Sequence, residues 1–172
     1  MDTHQTDEVC DDNKCEIKNY PKAPKLQISK WLNTADLISI ADLKGSVVVI
    51  EAFQMLCPGC VNHSLPQAKR LHAMFKDEKD IRILGLHSVF EHHEAMTEQA
   101  LKAFLSEFHY DFPVGIDKPA ESGPVPKTMK SYGLRGTPSL IIIDKNGNLR
   151  KILFGVIDDI ALGIKIGKLL QE

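Results

Sequence analysis

The run Val47-Val48-Val49-Ile50-Glu51-Ala52-Phe53, followed closely by Cys57-Pro58-Gly59-Cys60, decides how this chain is read. Six of the seven residues are apolar, with Glu51 the one charge among them, as in a strand covered on both faces. A helical pattern follows the cysteines. The first sulfur therefore falls at a helix N-terminus, where unpaired N–H groups and the helix dipole favour a thiolate. The second falls one turn later on the same face, within reach for a disulfide. A bare CxxC is weak; at a strand-to-helix turn it points to dithiol–disulfide chemistry.

Outward from this motif, helix is expected from Pro58 to about Asp77. Pro58 suits the first helical position, whereas Pro66 should kink the helix by removing the bond to the Asn62 carbonyl. Residues 26–31 read as an earlier strand, 81–89 as a second buried strand and 112–116 as a short one. Residues 95–109 read as an amphipathic helix with Met96, Ala100, Ala103, Phe104 and Phe108 on one face. Residues 127–132 suggest a brief helix. Strands at 139–144 and 149–155 flank Lys145-Asn146-Gly147-Asn148, a hairpin signal. A last helix at 158–170 has Ile160, Ile164 and Leu169 as apolar anchors. The pattern describes an α/β domain at 25–172, a central mixed sheet with helices on both faces. Residues 1–24, polar and acidic, read as a flexible tail carrying Cys10 and Cys15.

Composition narrows the function classes. The 172 residues suit one domain, with 43% hydrophobic and 26% charged residues. A net charge of −2 gives no electrostatic case for nucleic acid, and no apolar run reaches the 18 or so residues of a membrane span. Met1-Asp2-Thr3-His4-Gln5 has neither the basic nor the apolar region of a secretory signal. The expectation is a cytoplasmic protein, or a periplasmic one if the sequence is a trimmed mature form. Four cysteines are too few for a disulfide-stapled scaffold of this length.

Val49-Ile50-Glu51-Ala52-Phe53, Cys57–Cys60 and Tyr132-Gly133-Leu134-Arg135-Gly136-Thr137-Pro138-Ser139-Leu140 together resemble the thioredoxin superfamily. The likeness is to its TlpA/ResA-like thiol–disulfide oxidoreductase (redoxin) branch, and it covers roughly residues 23–172. Ala23-Pro24, Leu43-Lys44-Gly45, Phe112-Pro113-Val114-Gly115-Ile116-Asp117 and an extra helix and strand between Val89 and Thr137 resemble that branch. Two departures stand out. Leu56 replaces the usual aromatic before the first cysteine, and the helix proline falls six residues after Cys60 instead of five.

The resemblance implies a three-layer thioredoxin-like fold and thiol–disulfide exchange without an organic cofactor or metal. Cys57 would attack a protein disulfide and Cys60 resolve the mixed disulfide. Glu51 would be a buried carboxylate beneath the pair, its pKa raised by desolvation, taking the Cys60 proton; a solvated strand-end glutamate is the plainer reading. Pro138 would be a cis proline facing the CxxC. Thr137 would pair its backbone with an extended client, with Gly136 leaving room and Pro58 and Gly59 completing the substrate-facing surface. Expected partners are protein disulfides and a dithiol reductant, with a monomeric enzyme in cell redox homeostasis.

Other readings stay open. A peroxiredoxin-like peroxidase would use Cys57, although Gln54 and Ile50 stand where that family has a hydroxyl residue and a proline. A zinc- or copper-binding module would use the CxxC with histidines or with Cys10 and Cys15. A redox-silent adaptor would bind peptides beside Pro138. Cys10 and Cys15 are either a second dithiol, metal ligands with His4, or exposed thiols without function. His63, His92 and His93 read as solvated, with a metal or thiolate-stabilising role as the alternative.

Overall fold

The computed structural model describes the backbone of residues 8–11 and 14–17 and the whole of residues 19–172. Strands β1 (Glu8–Asp11) and β2 (Lys14–Ile17) pair with each other antiparallel. Six strands form the main sheet: β3 (Ile28–Leu32), β4 (Val47–Phe53), β5 (Ile81–His87), β6 (Val114–Asp117), β7 (Ser139–Ile143) and β8 (Leu149–Phe154). Their order is β3-β6-β5-β4-β7-β8. β4, β5 and β6 run parallel, and β3, β7 and β8 join antiparallel. The sheet is mixed, as expected.

All seven residues of β4 are buried, because both faces of the sheet are covered. Val47, Val49 and Phe53 point to one face. There they meet Leu65 and Ala68 of α1 (Leu65–Phe75), Leu101 and Leu105 of α2 (Glu98–Glu107), and Leu162, Ile166 and Leu169 of α4 (Asp159–Gln171). Val48, Ile50 and Ala52 point to the other, against Met129 of α3 (Lys127–Ser131), Tyr132, Leu134 and the chain around Leu26 and Leu43. Gly85, opposite Glu51 on β5, lets this core close: a Cβ there would lie 2.9 Å from the Phe112 ring and 3.0 Å from Val114.

Three expectations need correction. In α4, Ile160 and Ile164 are 74% and 56% exposed; Leu162 and Ile166 join Leu169 in the core instead. Around α2, Met96 is buried and Ala100 and Phe104 pack against the core as expected, but Leu101 and Leu105 are the fully buried pair of the helix, Ala103 is exposed, and Phe108 is 47% exposed and stacks on Tyr110 at 5.9 Å. The third concerns Pro66: the helix does begin at Pro58 and run continuously past Pro66, but its irregularity is a π turn that was not foreseen. A π-helical turn, Cys60–Ser64, in which the Leu65 N–H donates to the Cys60 carbonyl, comes immediately before Pro66, and α1 continues from it. A π turn absorbs one added residue. It takes up the one-residue displacement of the proline and lets Cys60, Ser64, Leu65 and Ala68 all face the core.

Candidate active site

The carboxyl end of β4 delivers the dithiol. After Phe53 the chain turns at Gln54, whose carbonyl accepts the Cys57 N–H at 3.2 Å and whose Oε1 accepts the Phe90 N–H at 3.1 Å. The Ser88 N–H donates to the Phe53 carbonyl at 3.1 Å. The turn is thereby tied to the segment after β5 before the cysteines begin. Sequence reading treated Gln54 only as a mismatch to the peroxidase motif; this pairing across two loops has no local signature.

Cys57 is part-exposed and Cys60 fully buried, both as free thiols. The Cys60 N–H donates to Cys57 Sγ at 3.3 Å, and the Cys57 thiol donates to the Thr137 carbonyl at 3.4 Å. An N–H from the helix start therefore faces the outer sulfur. Burial pushes the Cys60 thiol well above the ordinary range, and the neighbouring Cys57 adds to the rise. One sulfur is open to a partner, and the other is held protonated out of solvent.

The Thr137–Pro138 peptide bond is cis. Pro138 packs against Gly59 so closely that a Cβ on Gly59 would meet its ring at 3.2 Å. Pro58 is exposed, Thr137 part-exposed and Gly136 buried under Phe154, whose ring would lie 3.1 Å from a Cβ at Gly136. Cys57, Gly59, Thr137 and Pro138 thus form one surface, with exposed Leu56 beside it.

Glu51 is 1% exposed on β4, on the face that carries Phe53. Burial raises its pKa from 4.5 to about 8, opposed in part by the Ser64 hydroxyl beside it. Neither Glu51 Oε1 nor Ser64 Oγ makes a hydrogen bond of ordinary geometry. The solvated-glutamate reading is excluded by this burial.

Further residues sit at the same edge of the sheet. His87, opposite Phe53 in register and 5.2 Å from its ring, is 2% exposed, and burial lowers its pKa to about 4. Asp117 accepts from Ser88 Oγ at 2.9 Å and from the Thr128 and Met129 N–H groups at 2.7 and 2.9 Å, capping α3 from outside. Neither role was legible locally, since both depend on partners distant in sequence. His63, His92 and His93 are exposed. Among the described residues no three His, Cys, Asp or Glu side chains converge as a metal-binding group. Cys10 and Cys15 occupy opposed register positions of β1 and β2, and His4 lies outside the described residues. No helix among the described residues is long and apolar enough to cross a membrane.

Residues 20–159 match the Redoxin family profile. A thiol–disulfide oxidoreductase ResA from Bacillus thuringiensis is 30% identical over 112 residues, covering 65% of this chain and 57% of the relative. NHL repeat-containing protein 2 from Bos taurus is 30% identical over 127 residues, covering 73% of this chain. The chain spans 16% of that relative and little more than half of ResA. Among solved structures, a thioredoxin-like superfamily protein superposes with a TM-score of 0.85 at 55% identity, over 88% of this chain and 97% of the other. A thiol-disulfide isomerase from Corynebacterium glutamicum superposes with a TM-score of 0.82 at 51% identity, over 87% and 97%.

Proposed function

The chain belongs to the redoxin family, within the TlpA/ResA-like thiol–disulfide oxidoreductases of the thioredoxin superfamily, and from that premise we propose that it exchanges its Cys57–Cys60 dithiol with disulfides of client proteins. Cys57 attacks one sulfur of the client disulfide as a thiolate. The client S–S bond breaks, its electron pair leaves on the second client sulfur, and a mixed disulfide forms. Glu51, ionised, takes the Cys60 proton. The Cys60 thiolate then attacks Cys57 Sγ and expels the first client sulfur as its thiolate. The client has gained two electrons, and the enzyme holds a Cys57–Cys60 disulfide that a dithiol reductant restores.

The observation that carries this reading is the unequal burial of two sulfurs linked through the Cys60 N–H. An accessible attacking thiol and a sequestered resolving thiol are what a two-step exchange requires. Thr137 and Pro138 beside Cys57 offer a surface for an extended client segment. The burial of Glu51 supports its role as base, because a pKa of about 8 lets it both release and take up a proton near neutral pH.

Insulin reduction, with dithiothreitol as the final reductant, tests the reading. The protein should accelerate it catalytically, Cys57→Ser should abolish the acceleration, and peroxide should not be consumed at a comparable rate. Peroxide consumption without disulfide reduction would replace this reading with the peroxidase.

A further inference from the structure

Two buried oxygens near the dithiol lack a hydrogen-bond partner, and they belong to neighbouring side chains: Glu51 Oε1 on β4 and Ser64 Oγ at the end of the π turn. Ser64 is 5% exposed and Glu51 1%. Orphaned polar atoms in a core are costly, and two side by side suggest an arrangement that pairs them in another protonation state. A protonated carboxyl can donate or accept, whereas an ionised carboxylate can only accept. A serine hydroxyl rotates freely, so Ser64 can turn to donate as soon as the carboxyl ionises.

We propose that Ser64 is a positioning residue for Glu51, its hydroxyl donating to the ionised carboxylate and holding it ready to receive the Cys60 proton. The inference rests on the role given to Glu51 above. In that step the proton passes from Cys60 Sγ to the carboxylate, and the freed electron pair on Cys60 forms the bond to Cys57 Sγ. Ser64 neither gains nor loses a proton.

The irregularity in the helix explains why a serine lies there. Over the π turn, Cys60 and Ser64 face inward while Asn62 and His63 face solvent. The inward Ser64 and Pro66 both lie at the junction of the π turn and α1. Around Glu51 the other elements supply few charges. Gly85 of β5 and Leu140 of β7 lie opposite it, and His87 lies two residues further along β5. From α4 the core on this face receives Leu162, Ile166 and Leu169. Cys60 and His87 are buried titratable groups on this same face of the sheet, and burial keeps both uncharged near neutral pH. His87 Nε2 is a third buried atom without a partner, but Ser64 is the side chain whose hydroxyl lies beside the carboxyl and favours its ionised form.

The test compares the full-length wild type with Ser64→Ala and Ser64→Thr. The Glu51 carboxyl stretch is followed by infrared spectroscopy across pH and identified by its loss in Glu51→Gln. The rate of mixed-disulfide resolution is followed over the same range. Removing a donor to a carboxylate should raise the Glu51 midpoint by about one to two pH units. The pH profile of resolution should move by the same amount, and Ser64→Thr, which keeps the hydroxyl, should restore both. Ser64→Cys, a weaker donor of similar size, should give an intermediate midpoint and serves if the alanine variant does not fold. An infrared midpoint unchanged in folded Ser64→Ala, or in Ser64→Cys if the alanine variant does not fold, overturns the proposal. A midpoint that moves while the resolution profile stays fixed supports the Ser64–Glu51 link and overturns the base role of Glu51 instead.

Discussion

Replacing Glu51 with glutamine keeps the shape of the side chain and removes its titration. In the folded protein burial carries this carboxyl from 4.5 to about 8. The folded state therefore binds the proton more tightly than the unfolded chain does. The stability this gives is fully present below pH 4.5 and is lost as pH rises through about 8. At about 1.4 kcal/mol per pH unit, that span corresponds to about 5 kcal/mol. His87 acts in the opposite sense. Its pKa is lowered from 6.5 to about 4, so its contribution grows as pH rises between those values. The two slopes oppose each other between pH 4.5 and 6.5, and the Glu51 loss stands alone from 6.5 to 8. Urea unfolding of wild type and Glu51→Gln, followed by circular dichroism at half-unit steps from pH 4 to 9, reads this directly. The variant should gain on wild type steadily from about pH 4.5 and level off above 8. A gap that is constant across the range would refute the burial argument for Glu51.

Three further substitutions test the scaffold around the site. Gly85→Ala places a Cβ 2.9 Å from the Phe112 ring and 3.0 Å from Val114 Cγ2, and this overpacking should cost about 1–3 kcal/mol in urea unfolding. Asp117→Ala leaves the buried Thr128 and Met129 N–H groups without their acceptor; a loss of roughly 3 kcal/mol is expected, with faster amide exchange in α3. Gly59→Ala brings a Cβ to 3.2 Å from Pro138. It should slow disulfide reduction several-fold while shifting stability by about 1 kcal/mol or less; unchanged turnover would show that this contact does not shape the client surface.

Much of the fold was readable because its signals are local. The apolar run at 47–53, the cysteines at its end and the Asn146-Gly147 turn each mark an element without help from the rest of the chain. The phase of α4 was misread for a physical reason. Isoleucines occur at 160, 164 and 166 alongside Leu162 and Leu169, so hydrophobicity alone supports more than one face. The sheet chose Leu162, Ile166 and Leu169. At the site, Cys57 and Cys60 came from motif spacing, whereas Thr137 and Pro138 came only from the resemblance to the thioredoxin superfamily. Ser64, Gln54 and Asp117 act through partners far away in sequence or through a helical irregularity. The displaced Pro66 was the visible trace of that irregularity; reading it as a kink missed the π turn, which moves the irregularity ahead of the proline.

The division of labour between the two sulfurs is the centre of the account, and trapping with a single serine variant tests it most directly. Cys60→Ser, reduced and mixed with a disulfide-bonded peptide, should accumulate a one-to-one adduct, and peptide mapping should find the client sulfur on Cys57. The reciprocal Cys57→Ser should form no such adduct on Cys60 over the same time, since that sulfur is 0% exposed. An adduct that forms equally fast on Cys60, or none on Cys57, would contradict the assignment of attack and resolution.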